Sequence, residues 1–320
     1  MRGPRGTPGP ALSSVGMAEG DGNGWAECGL GHRHWGKYGA AGLLTYASNR
    51  AGQPSVLLVR RASWTQHGGT WGPPGGARDS DETAAAAALR EAAEEAGVPP
   101  GAVRIEGVLI DDHGGWSYET LIASAESAFP VRAASREATE ARWVPVDSVE
   151  SLPLHPGFAE AWPVIRDALQ PVTVIVDGAN VMGARADGWW RDRAGAAVRL
   201  HDELARLSTR GVTSFPDGAA GAALDRWFPR IVLVIEGAAR AAADRLAARS
   251  GAGPKAGDGP EPGDGVVVVA ARGSGDDTIA ALAAETDGRR LVVTADRELR
   301  RRSTAAGAAV TGPRWLLGLL

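Results

Sequence analysis

Three glutamates stand at helical spacing in an alanine-rich segment of the first half of the chain. Glu91, Glu94 and Glu95 occupy relative positions zero, three and four, in a stretch from about Asp81 to Ala96 that is predicted to be helical and to end at Gly97. At that spacing the side chains share one helix face, where like charges repel each other. A hard cation such as Mg²⁺, bound through carboxylate oxygens and shared with substrate phosphates, would neutralise them. The spacing therefore predicts a divalent-metal site for a polyphosphate.

The residues around these glutamates follow a longer signature, Gly-x5-Glu-x7-Arg-Glu-U-x-Glu-Glu-x-Gly-U, in which U is aliphatic. The matching positions are Gly76, Glu82, Arg90, Glu91, Glu94, Glu95, Gly97 and Val98. One position departs, because Ala92 is small where a larger aliphatic side chain is usual. The segment resembles the Nudix box, and the glycine- and proline-rich turn Trp71–Gly76 before it is similar to the turn found there in that family.

The resemblance implies a hydrolase that cleaves the pyrophosphate linkage of a nucleoside diphosphate derivative with Mg²⁺, Mn²⁺ being the other candidate ion. It implies that Glu91, Glu94 and Glu95 are metal ligands or general base, and that Arg90 orients them by ion pairing. The division of these roles among the acids stays open. Candidates for an additional carboxylate are Glu137 and Glu140. An acidic surface helix without chemistry is the alternative.

Four residues are candidates for binding the substrate. Gly75 and Gly76 precede the acidic helix, and Trp116 and Tyr118 follow a Gly-Gly pair that permits close approach of a ligand to the backbone. An aromatic face is a surface on which a nucleobase can stack. Packing in the core is the alternative for both aromatic residues.

A different pattern begins at Pro171, where apolar runs of strand length alternate with helical stretches. The runs are 172–176, 231–235, 266–270 and 291–293. This alternation is typical of a parallel sheet with crossover helices, whose ligands bind beyond the carboxyl ends of the strands. Acids that follow these strands are Asp177, Glu236, Asp276, Asp277 and Asp296. They are expected to meet in one crevice, where they repel strongly unless they hold a metal.

Three short motifs in this half, Val-Asp-Gly-Ala-Asn-Val, Gly-Asp-Asp-Thr-Ile and Val-Thr-Ala-Asp-Arg-Glu, resemble the NYN branch of the PIN-like nucleases, especially its YacP-like group. The resemblance implies a ribonuclease in which Asn180 orients the site. It implies that the metal-binding acids are Asp177, Asp276, Asp277 and Asp296. Glu236 stands where relatives often carry aspartate, so its participation stays open. The alternative is a noncatalytic domain whose aspartates cap helices, Asp276 being well placed for that.

The length of 320 residues favours two domains. The predicted organisation is a disordered segment 1–30, a Nudix domain 31–169 that forms an α/β/α sandwich with a mixed sheet, and a PIN-like α/β domain 171–320 with a mainly parallel sheet. For the acidic helix, the candidates for the N-terminal cap are Asp79, Ser80 or Asp81.

The net charge of −4 gives no bulk attraction to nucleic acid or to acidic membranes, and no apolar run is long enough to span a bilayer. The single cysteine, Cys28, cannot form an internal disulfide, which fits a reducing cytoplasm, and its glycine-rich surroundings argue against a buried thiol. His32 and His34 show no partner at metal spacing and are predicted to be surface residues.

Three functions remain in competition at this point. The first is a Nudix hydrolase that carries an appended ribonuclease domain. The second is a ribonuclease for single-stranded RNA whose Nudix half binds or trims RNA ends. The third is a nucleotide-binding protein without turnover, against which the retained, mutually repelling glutamates argue.

Overall fold

The computed structural model describes residues 20–48, 52–216, 218–250 and 265–320 of the chain. The prediction of disorder over 1–30 is wrong for residues 20–30, because strand β1 (Trp25–Glu27) lies there and pairs antiparallel with β2 (Arg33–Trp35). Residues 1–19 lie outside the described residues. A hydrogen bond holds this segment in place. The N–H of Gly22 donates to Oδ1 of Asp79 at 2.8 Å, which joins the segment to the loop before the acidic helix.

The first half is built on a mixed sheet between two helices. Its further strands are β3 (Ala40–Ser48), β4 (Pro54–Arg61), β5 (Trp71–Gly72), β6 (Gly75–Ala77), β7 (Arg104–Asp112), β8 (Ser117–Ser124) and β9 (Ala138–Pro145). Its helices are α1 (Ala84–Ala96) and α2 (Pro156–Asp167), with a 3-10 turn at Val146–Ser151. Strand β3 is parallel to β8 and antiparallel to β4 and β6.

Alternation along the central strands gives the sheet two buried faces. Leu43 and Leu57 pack in the core cluster that contains the α1 alanines, whereas their neighbours Leu44 and Leu58 pack in the cluster that contains Trp162 of α2. The predicted α/β/α sandwich with a mixed sheet is therefore confirmed.

Helix α1 packs its alanine side against the sheet, and Ala92, the departure from the signature, is fully buried. Its N-terminal cap is Thr83, whose side chain accepts a hydrogen bond from the N–H of Ala86. The predicted caps Asp79, Ser80 and Asp81 are wrong, because they lie in the loop before the first turn. The predicted end at Gly97 is confirmed, since this glycine adopts the left-handed conformation with φ 70°.

The second half contains a five-stranded parallel sheet of order β13-β12-β10-β14-β15. Its strands are β10 (Val172–Asp177), β11 (Arg226–Trp227), β12 (Arg230–Ile235), β13 (Val266–Ala270), β14 (Arg289–Val293) and β15 (Ala309–Thr311), of which β11 lies outside this sheet. Its helices are α3 (Gly178–Gly183), α4 (Arg193–Arg210), α5 (Ala241–Ser250), α6 (Gly275–Glu285), α7 (Arg297–Ala305) and α8 (Pro313–Leu317), with 3-10 turns at Trp189–Arg191 and Gly237–Arg240.

The predicted parallel sheet is confirmed, and β10 occupies its centre. One face packs against α4 through Leu200 and Leu204, and the other packs against α6 and α7 through Ile279 and Leu299. The chain leaves β10 toward β12 on one side and reaches β14 on the other. The carboxyl end of β10 is therefore the point where the strand order reverses, at which open α/β sheets form a ligand crevice.

The two halves share backbone pairing and buried charge. Strand β11 of the second half pairs antiparallel with β7 of the first. Glu106 on β7, whose side chain is 1% exposed, lies 2.5 Å from Arg104 and 3.1 Å from Arg230 of the second half. Ser124 also donates to this carboxylate at 2.6 Å. The boundary at about Pro171 stays a prediction, and this ion cluster joins the chain across it.

We expect Glu106→Gln to lower the free energy of unfolding of the full chain by about 3 kcal/mol, because one uncharged partner would replace the anion of a buried ion cluster. Urea denaturation followed by tryptophan fluorescence measures it. The matched control is Glu140→Gln, since that side chain is 44% exposed and lies 3.6 Å from Arg142. This control should change the free energy by less than about 1 kcal/mol. Equal, small changes in both variants would show that the ion cluster does not stabilise the fold.

Candidate functional site

Arg90 organises the acidic face of α1. Its Nε and Nη2 donate to the two carboxylate oxygens of Glu82 at 2.8 and 2.9 Å. Its Nη1 lies 2.7 Å from Oε1 of Glu91 and 3.8 Å from Oε2 of Glu94. The hydrogen bonds with Glu82 raise the pKa of Arg90, and the same bonds lower the pKa of Glu82. One guanidinium therefore positions three carboxylates, and the bidentate pair keeps its plane fixed.

The three glutamates of the spacing pattern differ in exposure. Glu95 is buried at 6% exposure, while the side chains of Glu91 and Glu94 are 16% and 37% exposed. Burial raises the pKa of Glu95 to about 7; the Gly75 N–H opposes this rise, and the charges of Glu91 and Glu137 add to it. Burial also raises the pKa of Glu91, against the hydrogen bond from Arg90. This site thus holds more negative charge than its arginine neutralises.

The two glycines before the helix let β6 lie against this acidic face. The N–H of Gly75 donates to Oε2 of Glu95 at 2.9 Å. A Cβ atom at Gly76 would lie 2.5 Å from Oε1 of Glu91, and one at Gly75 would lie 2.6 Å from the carbonyl oxygen of Ala41. Both positions therefore require glycine because of close approach.

A cavity of about 1010 Å³ opens beside the glutamates. Predicted site residues that line it are Gly75, Gly76, Arg90, Glu91, Glu94, Glu95, Trp116, Tyr118 and Glu137. Glu140 is not among its lining residues. Trp116 is buried, and its indole Nε1 donates to the carbonyl oxygen of Gly36 at 2.9 Å, which fixes this ring as part of the wall. The volume is sufficient for a nucleotide-sized ligand.

Sequence reasoning missed Arg61 and His155, which also line this cavity. Burial lowers the pKa of His155 to about 4, and the positive charges of His67 and Arg61 add to this lowering. The rings of His67 and His155 meet edge to face with centroids 4.8 Å apart. In the sequence, Arg61 is marked only by its place at the end of the strand before the glycine turn. Such a position does not by itself indicate a binding site.

Comparisons with known proteins identify the family of the first half of the chain. The model of the NUDIX domain matches residues 38–168. A protein named "Putative 8-oxo-dGTP diphosphatase 3" from Mycobacterium tuberculosis is 44% identical over 171 residues, covering 52% of this chain and 76% of that protein. The chain belongs to the Nudix family. It is a Nudix hydrolase, a pyrophosphohydrolase that acts on acid anhydrides.

Two other similar proteins are a fusion protein and a solved structure. The "Nucleoside triphosphate pyrophosphatase/Nudix hydrolase fusion protein" of Bifidobacterium longum is 38% identical over 146 residues, covering 44% of this chain and 30% of that protein. The crystal structure of the M. smegmatis Nudix hydrolase RenU shares 44% sequence identity and covers 45% of this chain and 93% of that one, with a TM-score of 0.43.

Outside the Nudix half, Asp177 and Asn180 form a bonded junction at the centre of the parallel sheet. Asp177 is 4% exposed. Its Oδ1 accepts from the N–H of Asn180 at 3.0 Å, and its Oδ2 accepts from Nδ2 of Asn180 and from Oγ1 of Thr294, each at 2.8 Å. Oδ1 of Asn180 in turn accepts from the N–H of Ala295 at 3.2 Å. Asn180 thereby joins the carboxyl ends of β10 and β14.

Asp276 lies among other acids at this sheet edge. Burial raises its pKa, and the charges of Asp177, Asp296 and Glu236 raise it further. Asp276 does not cap α6, because Ser274 holds that position. Asp277 is placed differently: its side chain is 72% exposed and lies 2.9 Å from Arg302. The structure thus brings three of the four predicted acids together with Glu236, and it pairs the fourth with an arginine.

Two predictions about the start of the chain are wrong. Cys28 is buried at 6% exposure, because the loop between β7 and β8 covers it. The N–H of Gly29 donates to the carbonyl oxygen of Gly114 in that loop at 2.6 Å. His32 is exposed, as predicted, and His34 is half-buried, but both lie at metal spacing from Cys28 and His113. His113 follows β7, so its proximity depends on tertiary structure and leaves no local spacing pattern.

We expect Gly76→Ala to lower hydrolysis at least about tenfold, because the added Cβ displaces the Glu91 carboxylate and small misplacements in a catalytic site are costly. Steady-state hydrolysis of a nucleotide panel measures the effect. The matched control is Gly72→Ala, whose Cβ would meet its nearest neighbour, Cβ of His155, at 3.8 Å. The control should retain activity within about twofold, since that is an ordinary van der Waals contact. Full activity of Gly76→Ala would contradict the assigned position of Glu91.

Proposed function

We propose that the Nudix half hydrolyses the pyrophosphate linkage of a nucleoside diphosphate derivative at the acidic face of α1. The observation that carries the proposal is the meeting of Glu91, Glu94 and Glu95 with the Gly75-Gly76 turn at the wall of a nucleotide-sized cavity. Trp116 and Tyr118 line the same cavity and are assigned to substrate binding.

The residues present fit a Mg²⁺ or Mn²⁺ ion. The donor set consists of carboxylate oxygens, which are the ligands that hard cations prefer. Burial raises the pKa of both Glu95 and Glu91, and the charge of Glu91 adds to the rise at Glu95, so the site gains from a positive charge that Arg90 alone does not supply. We assign Glu91, Glu94 and Glu95 to hold the ion, which when bound neutralises phosphate oxygens and lowers the pKa of a bound water.

Residues of the chain position the carboxylates, accept the proton and bind the substrate phosphates. Arg90 holds Glu82 and Glu91 in place through its hydrogen bonds, so the carboxylates need no reorganisation when substrate arrives. The N–H of Gly75 orients Glu95. We assign the carboxylates of Glu91 and Glu95 to accept the proton of the attacking water. Arg61 supplies a positive charge in the same cavity for the substrate phosphates.

For the substrate, we propose a purine nucleoside triphosphate with an oxidised base, such as 8-oxo-dGTP. The support is the 44% identity over 171 residues with a protein whose name carries that activity. The aromatic wall formed by Trp116 and Tyr118 is suited to a base of purine size. Comparison of 8-oxo-dGTP with dGTP and with ADP-ribose tests this choice.

We expect Glu95→Gln to lower kcat at least about 100-fold in the presence of Mg²⁺, because a lost catalytic metal interaction costs several kcal/mol of transition-state stabilisation. Hydrolysis of 8-oxo-dGTP and of the wider panel is measured with the full chain. Glu140→Gln is the matched control, since Glu140 does not line the cavity. Circular dichroism verifies folding. Activity of Glu95→Gln within about twofold of wild type would remove Glu95 from the site.

For the second half, we propose an NYN/PIN-like domain over 171–320 that cleaves single-stranded RNA, with Asp177, Asp276 and Asp296 as metal-binding acids and Asn180 as the orienting residue. The support is their convergence, together with Glu236, at the point where strand order reverses. Asp277 has weaker support because of its pairing with Arg302. We also propose residues 31–169 as the Nudix domain and the cytoplasm as the compartment.

We expect Asp276→Asn to abolish cleavage of an unstructured RNA by the full chain with Mg²⁺ or Mn²⁺, because the substitution removes one carboxylate from the centre of the acidic group. Asp277→Asn is the matched control, since Asp277 is the next residue in sequence and pairs with Arg302. It should retain most of the activity. Equal cleavage by wild type and Asp276→Asn, or none by wild type across varied RNAs, would reject a nuclease site at these acids.

A further inference from the structure

A group of side chains that could bind a metal lies at the hairpin formed by β1 and β2, and it includes none of the glutamates of α1. Cys28, His32, His34 and His113 each offer one ligand atom, and these atoms all lie within 4.8 Å of one another. Cys28 and His32 bracket the turn between β1 and β2, and His34 is on β2. His113 comes from the turn between β7 and β8. Two separate segments therefore converge on one point.

Backbone bonds hold these two turns together. In the first, the N–H of Cys28 donates to the carbonyl oxygen of His32 and that of Gly31 donates to Cys28, both at 2.9 Å. In the second, the N–H of His113 donates to the carbonyl oxygen of Trp116 at 2.9 Å. The bond from the N–H of Gly29 to Gly114 then joins the turns at 2.6 Å. The four side chains are thus placed by the backbone before any ligand arrives.

Two imidazole nitrogens in this group have no hydrogen-bond partner. Nε2 of His34 and Nδ1 of His113 are buried and have no hydrogen-bond partner. The other nitrogen of His113, Nε2, lies 3.1 Å from Oδ2 of Asp111. A carboxylate on one nitrogen fixes the tautomer and leaves the second nitrogen as a lone-pair donor, which is the arrangement typical of metal-bound histidines. The ring of His34 is held by stacking on Trp116, with centroids 4.0 Å apart.

We propose that Cys28, His32, His34 and His113 bind one Zn²⁺ ion with a structural role. One thiolate and three imidazoles form a four-ligand set for tetrahedral zinc, whereas Mg²⁺ and Ca²⁺ prefer oxygen ligands. Four protein ligands close the coordination shell, which leaves no position for substrate. The inference does not depend on the proposed hydrolysis or on the proposed nuclease.

The ion would stabilise a part of the fold that is otherwise weakly held. Strands β1 and β2 have three residues each and form a sheet of only two strands, which is marginal in water by itself. The hairpin carries His34 and Trp35 to the wall of the nucleotide cavity, and His113 and Trp116 line the same wall. Zinc would therefore fix the wall of the cavity to which Trp35 and Trp116 belong.

The test measures metal in the untagged full chain after purification and dialysis. Mass spectrometry of the metal content should find about one zinc per chain in wild type and less than about 0.1 in Cys28→Ser and in His113→Gln. The matched control is His201→Gln, because His201 also lies beside an aspartate, 3.2 Å from Asp202, but belongs to α4. This control and Glu95→Gln should both keep their zinc.

Cobalt substitution keeps the proposal testable if a variant fails to fold. Wild type freed of zinc and loaded with Co²⁺ should show the visible bands of a tetrahedral site and a thiolate-to-metal band in the near ultraviolet. Zinc should also raise the thermal midpoint of the metal-free wild type, as binding to the folded state requires. Wild type without zinc and without these cobalt bands would overturn the proposal. Undiminished zinc in Cys28→Ser and His113→Gln would place the ion elsewhere and overturn it as well.

Discussion

Repulsion among the carboxylates on the acidic face of α1 is the constraint on which the rest of the Nudix half depends. Glu95 is buried and Glu91 is half-buried on the same helix face, where the charge of Glu91 adds to the rise in the pKa of Glu95. Such an arrangement persists only if surrounding groups compensate it. The fold supplies Arg90 from the helix itself and the N–H of Gly75 from β6, and the proposed cation would complete the compensation. The two glycines and the short strand β6 bring backbone close to these acids, while the alanine face of α1 packs against the sheet.

The sequence predicted the parts of the structure that follow from local periodicity. Strand β13 begins and ends at the predicted residues 266 and 270, and α1 ends at Gly97 as expected. The predicted caps of α1 failed because three polar residues in a row offer equivalent local signals, and the chain begins its first turn only after Thr83. Local pattern determines that a helix forms, whereas the packing of the preceding loop determines which residue caps it.

The candidate sites also differ in whether local sequence pattern reveals them. The acids of α1 share one helix, so their spacing alone placed them on one face. The cysteine and histidines of the proposed zinc site lie on two turns separated by several strands, and only pairing of β7 with β8 beside the N-terminal hairpin brings His113 to Cys28. Arg61 was missed for the same reason. A site built from one element is visible in sequence, and a site built from several becomes visible only with the topology.

A buried ion cluster and one pair of strands join the two halves of the chain. Glu106 could not be buried on β7 with Arg104 alone at low cost, because a buried ion pair needs further bonds to offset its desolvation. Ser124 supplies one such bond from the same sheet, and Arg230 supplies another from the second half. Strand β11 meanwhile covers the edge of β7 that would otherwise expose unpaired backbone groups. The second half therefore completes the first at an edge and at a buried charge, while both candidate chemical sites of the Nudix half lie on elements of that half.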